Sequence, residues 1–109
     1  MPWLSSGRIQ NPTADQVLVD TSTLPTTHRG FVVIAASTVA TWFELQHRNA
    51  ANDANVHSQI LAVPAMGTNS VPETPPNAYF FMEEGERLRI IQGAAVTAGW
   101  VSVSLFYTP

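Results

Sequence analysis

Residues 41–63 read TWFELQHRNAANDANVHSQILAV, and this stretch decides the fold. Two runs rich in β-branched and aromatic residues, 41–48 and 56–63, flank a centre of Asn, Ala and Asp, which is the composition of two strands joined by a turn. A helix is the competitor, because Val56, Ile60 and Leu61 could share one helical face. The Asn, Asp and Ser residues of that run disfavour it. Folded about Asn52, the strands place Thr41 opposite Val63, Phe43 opposite Leu61 and Leu45 opposite Gln59 on a mostly apolar face. Glu44 then meets Ile60, and Gln46 meets Ser58, on the other face. A slip of one residue would mix the two faces, so the apolar pattern specifies the register.

Outward from this hairpin the pattern repeats. QVLVD, GFVVIAAS, AYFFMEE, ERLRIIQ and AGWVSVSLFY are further short β-like runs bounded by turn residues. About seven or eight strands within residues 16–109 predict an all-β, antiparallel sandwich or barrel. In MEEGERL the pair Glu84-Gly85 reads as a two-residue turn, with Gly85 supplying a positive φ. The hairpin it predicts sets Phe81 against Leu88 and Tyr79 against Ile90 inside, with Phe80 beside Arg89 and Met82 beside Arg87 outside. On the last run Val101, Val103, Leu105 and Tyr107 point inward, and Ser102 and Ser104 outward.

Two segments lack a period. Residues 1–15, MPWLSSGRIQNPTAD, read as an extended N-terminal arm whose Trp3, Leu4, Arg8 and Ile9 would dock on the domain or on a neighbour. Residues 66–77, MGTNSVPETPPN, read as a long surface loop stiffened by Pro72, Pro75 and Pro76, and loops of this kind are often functional. The organisation is therefore an arm, 1–15, followed by one β-domain, 16–109.

At 109 residues one core is feasible and two are not. Charged residues make up 12% of the chain, about half the usual share, so Thr, Ser, Asn and Gln must keep the surface wet. All five basic residues are arginine, and lysine is absent. That bias suits protein interfaces, where a planar guanidinium pairs with carboxylates and loses hydration at lower cost. The net charge of −3 carries no basic stripe, which argues against binding nucleic acid. With no cysteine, disulfides and thiolate metal sites are excluded. No apolar run is long enough to span a membrane and no secretion signal is visible, so the chain reads as soluble.

Chemistry-bearing constellations are sparse. His47 and His57 face each other in the hairpin register and could share a metal or a proton, but no third ligand stands near them, and His28 lies far off in sequence. The His-x-His spacing of a cupin-like metalloenzyme is missing. Glu83, Glu84 and Glu86 surround a turn, where solvated acids are expected, which leaves no glycosidase-like carboxylate pair. Neither a nucleophile elbow nor a glycine-rich phosphate loop is present. The reading is of a non-enzymatic protein without cofactor, catalytic or metal residues. Its aromatics carry what remains: Trp42, outward beside Glu44, Gln46 and Arg48, is either a subunit contact or a ligand platform. The interface candidates are Trp3, Leu4, Arg8, Ile9, Trp42, Pro72, Pro75, Pro76, Phe80, Met82, Arg87 and Arg89.

The polar arm, the compact Ala-, Thr- and Val-rich strands, the FELQHRNAANDANVHSQ hairpin, the MEEGERLRI turn and the closing strand WVSVSLFY together resemble the small jelly-roll decoration, or cement, proteins of tailed-bacteriophage capsids. The resemblance spans residues 16–109 and rests on organisation, not on a diagnostic motif. It implies a β-sandwich of jelly-roll type, a homo-oligomer and specifically a trimer, made in the host cytoplasm and held on the capsid exterior. The partner it implies is the major capsid protein, bound at subunit junctions, with the arm and the 66–77 loop as the contacting segments. The alternative is a carbohydrate- or receptor-binding β-sandwich module of a tail fibre or other virion appendage, in which Trp42 or Trp100 would stack on the ligand.

Overall fold

The computed structural model describes residues 2–71 and 80–109, with Phe80 described by its backbone alone. Its strands are β1 (Trp3–Ser5), β2 (Ile9–Gln10), β3 (Val17–Asp20), β4 (Thr27–Arg29), β5 (Phe31–Ser37), β6 (Thr41–Arg48), β7 (Asn55–Val63), β8 (Gly67–Val71), β9 (Phe80–Met82), β10 (Arg87–Gln92) and β11 (Trp100–Tyr107). No helix occurs among the described residues. The protein is all-β, and every strand pair is antiparallel.

The strands form two main sheets. One has the order β1-β11-β5-β8, with β2 also pairing to β11; the other has the order β3-β10-β6-β7. Between them lies a single apolar core. Val33, Ala35, Val71, Val101, Val103 and Leu105 come from the first sheet, and Val19, Phe43, Leu45, Leu61, Val63, Leu88 and Ile90 from the second. These are the inward members of alternating strands, as the period of two requires. Each fully buried Leu or Phe contributes roughly 1.5–3 kcal/mol relative to exposure.

The hairpin of residues 41–63 has the register expected of it. Thr41↔Val63, Phe43↔Leu61, Leu45↔Gln59, Glu44↔Ile60, Gln46↔Ser58 and His47↔His57 are all paired, and the ladder shifts only beyond His47, where Arg48 meets Asn55. Residues 51–62 are therefore turn and strand, not helix. On β11, Val101, Val103 and Leu105 are fully buried, while Tyr107 packs on the core edge.

The MEEGERL segment differs from expectation. Gly85 does have a positive φ, 89°, but β9 does not pair with β10. β9 pairs instead with β4, setting Thr27 against Met82, His28 against Phe81 and Arg29 against Phe80. β10 meanwhile lies in mid-sheet between β3 and β6. The switch reverses the expected faces: Met82 is fully buried and Phe81 is 52% exposed. Met82 is thus a core residue and not the outward contact expected of it, because β9 leaves the sheet and presents its other side to the interior.

The segment 66–77 is also corrected in part. Gly67–Val71 forms β8, an edge strand on β5, held by the Val33↔Val71 to Ser37↔Gly67 ladder. Pro72, Pro75, Pro76 and Tyr79 lie outside the described residues. The 1–15 segment docks on its own domain: β1 and β2 both line β11, and Ser6 N–H and Asn11 N–H donate to Val103 O and Gly99 O. Leu4 and Ile9 supply the reason, since both are partly buried against the core.

Candidate interaction faces

The outer face of the β3-β10-β6-β7 sheet gathers three of the arginines. Because Arg87↔Arg48 and Arg89↔Gln46 are register pairs and Asp20 pairs with Arg89, alternation brings Arg48, Arg87, Arg89, Gln46, Glu44 and Asp20 to one side. Arg89, Gln46, Glu44 and Arg48 are linked into a net through Asn55, and the Arg87–Asp20 pair stands beside it. Arg89 Nε donates to Gln46 Oε1, Gln46 Nε2 donates to Glu44 Oε1 at 3.1 Å, and Asn55 Nδ2 donates to the same carboxylate oxygen at 3.1 Å. Arg87 pairs with Asp20 at 3.2 Å. The outward-facing Gln46 is buried beneath this net at 5% exposure, which makes the face a semi-rigid polar layer, not a fringe of mobile side chains. Burial holds the Arg89 guanidinium below its ordinary pKa, with the Arg48 charge pushing the same way and Asp20 opposing it.

Arg48 serves the hairpin tip as well as the face. Its guanidinium donates to Asn52 Oδ1, to Asn52 O and to Asn55 Oδ1 at 2.8–2.9 Å. Asn52 has a positive φ of 56°, a conformation Asn tolerates better than most residues, and this clamp holds it there. Beside the polar net runs an apolar strip. Trp42 is 37% exposed, Val56 46% and Ile60 57%. The Trp42 indole lies directly on Gly93, where a Cβ would come within 2.1 Å of the ring, and Gly93 N–H donates to Trp42 O. One indole face is thus seated on backbone and the rest is turned outward.

The outer face of the other sheet is different in kind. Trp3, 60% exposed, stacks on Phe106 with centroids 5.9 Å apart, and the Arg8 guanidinium sits 4.5 Å above the Trp100 ring. Ile34 is 48% exposed, between Ser70 on β8 and Ser104 on β11. The expected site residues therefore divide. Trp3 and Arg8 stand on this face, Trp42, Arg87 and Arg89 stand on the opposite one, and Leu4 and Ile9 are turned to the core between them.

Three features escaped the sequence reading. Glu86 is buried, at 7% exposure, and its Oε1 lies 2.9 Å from His47 Nε2 while accepting from Glu83 N–H at 2.7 Å. The alternation of Leu88 and Ile90 on β10, continued one step back to Glu86 just before the strand, was the available signal, since it puts Glu86 on the core side. His47 and His57 do come together, with ring centroids 5.4 Å apart, at a recess of about 10 Å³ lined also by Phe31, Leu45, Ser58 and Gln59, room for about one water. Among the described residues no group of three or more His, Cys, Asp or Glu side chains is placed to hold a metal. The second missed feature is Arg29, 1% exposed, which donates to Pro25 O and Thr108 O and whose pKa is lowered by burial, with Tyr107 opposing. The third is the exposed strand edge of β7, whose residues 55–60 are all exposed.

No protein-family model matches the chain, and no curated protein matches it.

Proposed function

We propose that this chain is a structural virion protein, a jelly-roll sandwich that decorates a phage capsid and stabilises it by binding at junctions of major capsid subunits. The observation that carries the reading is the pair of opposed outer faces. One bears the Arg48, Arg87, Arg89 cluster with Trp42, and the other bears the Trp3–Phe106 stack with Arg8 on Trp100. Aromatics and arginines without lysine are the chemistry of protein–protein contact. A local surplus of guanidinium on a chain of net charge −3 suits a carboxylate-bearing protein surface. The jelly-roll reading draws support from the strand orders β1-β11-β5-β8 and β3-β10-β6-β7, in which the chain passes repeatedly between sheets as two Greek keys do.

The mechanism this reading requires is linkage. A protein that binds only the assembled lattice stabilises it by mass action, and many copies of a modest contact suffice. Co-sedimentation of the purified chain with shells stripped of it tests the reading. Binding weakened by Arg89→Ala and Trp42→Ala is the expected result, and a folded chain that stays in the supernatant at all concentrations overturns it. The seating of the Trp42 ring on Gly93 with its outer part exposed also favours a second reading, a carbohydrate- or receptor-binding module. A glycan-array signal lost in Trp42→Ala, without shell binding, would select that one.

A further inference from the structure

β7 ends the β3-β10-β6-β7 sheet, and among the described residues a contact along its outer edge is found in its C-terminal half. In the C-terminal half, Asn69 of β8 donates its Nδ2 to Ala62 O at 2.8 Å. In the N-terminal half, residues 55–60 are all exposed, and among the described residues no strand pairs with that edge. Charge and proline, two of the usual protections, are missing, since NVHSQILAV contains no Lys, Arg, Asp, Glu or Pro, and the ladder is regular from His57 to Val63, its one register shift lying before His57. A long edge strand without charge or proline is a template for another strand.

The direction of the open groups can be fixed. Ala62 O points to β8, and its register partner Trp42 sends its own O to Gly93 N–H, so Trp42↔Ala62 is a pair whose backbone groups face away from each other. In an antiparallel ladder such pairs alternate with mutually bonded ones. Glu44↔Ile60 and Gln46↔Ser58 are therefore of the same kind, and the N–H and C=O of Ile60 and Ser58 point out of the sheet edge.

We propose that this edge binds a second copy of the same chain, with β7 pairing antiparallel to β7 across a two-fold axis at Ser58. The occupant follows from self-complementarity. Centred on Ser58, the pairing sets Val56 against Ile60 of the second copy on the outer face and His57 against Gln59 on the inner one, and Ser58 exchanges N–H···O=C bonds with its mate in both directions. Apolar meets apolar, imidazole meets amide, and no formal charge is opposed to its like, although each copy carries −3 overall. The axis cannot shift toward Val63, because β8 would then collide with the incoming strand. An isologous contact of this kind gives dimers or assemblies of dimers, where the resemblance to decoration proteins implies a trimer.

Because the chain has no cysteine, Ser58→Cys reads the contact directly. Across the axis the two Cα atoms would lie about 5.5 Å apart, within the span a disulfide bridges. Under mild oxidation this variant should cross-link to a dimer at least roughly tenfold faster than Ser104→Cys on the opposite sheet. Sedimentation equilibrium of the unaltered full chain should show a dimer, weakened by roughly tenfold or more in Ser58→Pro, which loses the outward N–H, and in Ile60→Lys, which puts charge at the edge. Circular dichroism should be unchanged in Ile60→Lys, so a folding defect in Ser58→Pro alone does not blur the result. A monomer at all concentrations, equal cross-linking at both cysteines, or an oligomer of any order indifferent to Ile60→Lys overturns the proposal. Coverage of the edge by the chain's own intervening segment would give the first of these. No shell enters these measurements, so capsid binding stands or falls separately.

Discussion

Gly93→Ala is the sharpest test of how the Trp42 face is built. An added Cβ would stand 2.1 Å from Cδ2, 2.2 Å from Cε3 and 2.4 Å from Cε2 of the indole. Carbon atoms in contact sit about 3.5–4.0 Å apart, so the ring must retreat by more than about 1 Å. Backbone holds it from below, since Gly93 N–H is bonded to Trp42 O, and the ring can only swing outward into water. Returning about 100 Å² of apolar surface to solvent, at about 25 cal/mol per Å², costs about 2.5 kcal/mol. The lost backbone freedom of Ala in the unfolded chain offsets about 0.4–1 kcal/mol of this. A net loss of about 2 kcal/mol lowers the melting temperature of a domain this size by roughly 8–16 °C. Thermal melts followed by circular dichroism, with a red shift of tryptophan emission, measure it. The control is the Trp42→Ala background, where Gly93→Ala should be neutral or slightly stabilising. A neutral Gly93→Ala in the unaltered chain, or an equal loss in both backgrounds, refutes the reasoning.

Two further outcomes follow from buried and clamped side chains. Glu86→Ala removes the acceptor of the Glu83 N–H and the carboxylate that meets His47 Nε2, a loss of about 1–3 kcal/mol visible as a lower urea midpoint, and Glu86→Gln, which keeps an acceptor oxygen, should recover part of it. Arg48→Ala removes three donated bonds to Asn52 and Asn55, so amide hydrogen exchange at the 49–55 tip should speed up while β11 stays protected, at a global cost of about 1–2 kcal/mol.

What the sequence made legible was local. Register in the 41–63 hairpin could be read because its turn residues and two alternating faces agree, and a slip would have buried Glu44 and Gln46 in place of Phe43 and Leu45. The same logic succeeded for β11. It failed at MEEGERL, where a turn with a glycine of positive φ looked like a hairpin but only connects two sheets. The partner of β9 is THR at 27–29, a segment with no apolar pattern to announce it, and Arg29 is buried there only because Thr108 and Pro25 supply carbonyls from remote parts of the chain. Strand identity in Gly67–Val71 was hidden for a related reason: GTNSV sits at a sheet edge, where the β5 ladder and not side-chain character holds it. Of the interaction faces, Trp42 could be placed from alternation alone. The Arg48, Arg87 and Arg89 cluster could not, because it needs the non-local pairing of β10 with β6.

The placement of β11 carries a consequence for how the protein is made. This strand follows all the others in sequence, yet it is the one to which β1, β2 and β5 attach. While the ribosome is still at work on the earlier residues, β5 has nothing to pair with on that flank, and the arm has no rail to lie along. The sheet of β3, β6, β7 and β10 can be assembled earlier, but half of the interior stays open to solvent until residues 100–107 emerge. The core therefore closes late, through contacts between distant parts of the chain of the kind that form slowly, and a nascent form with its interior open is the state most exposed to aggregation.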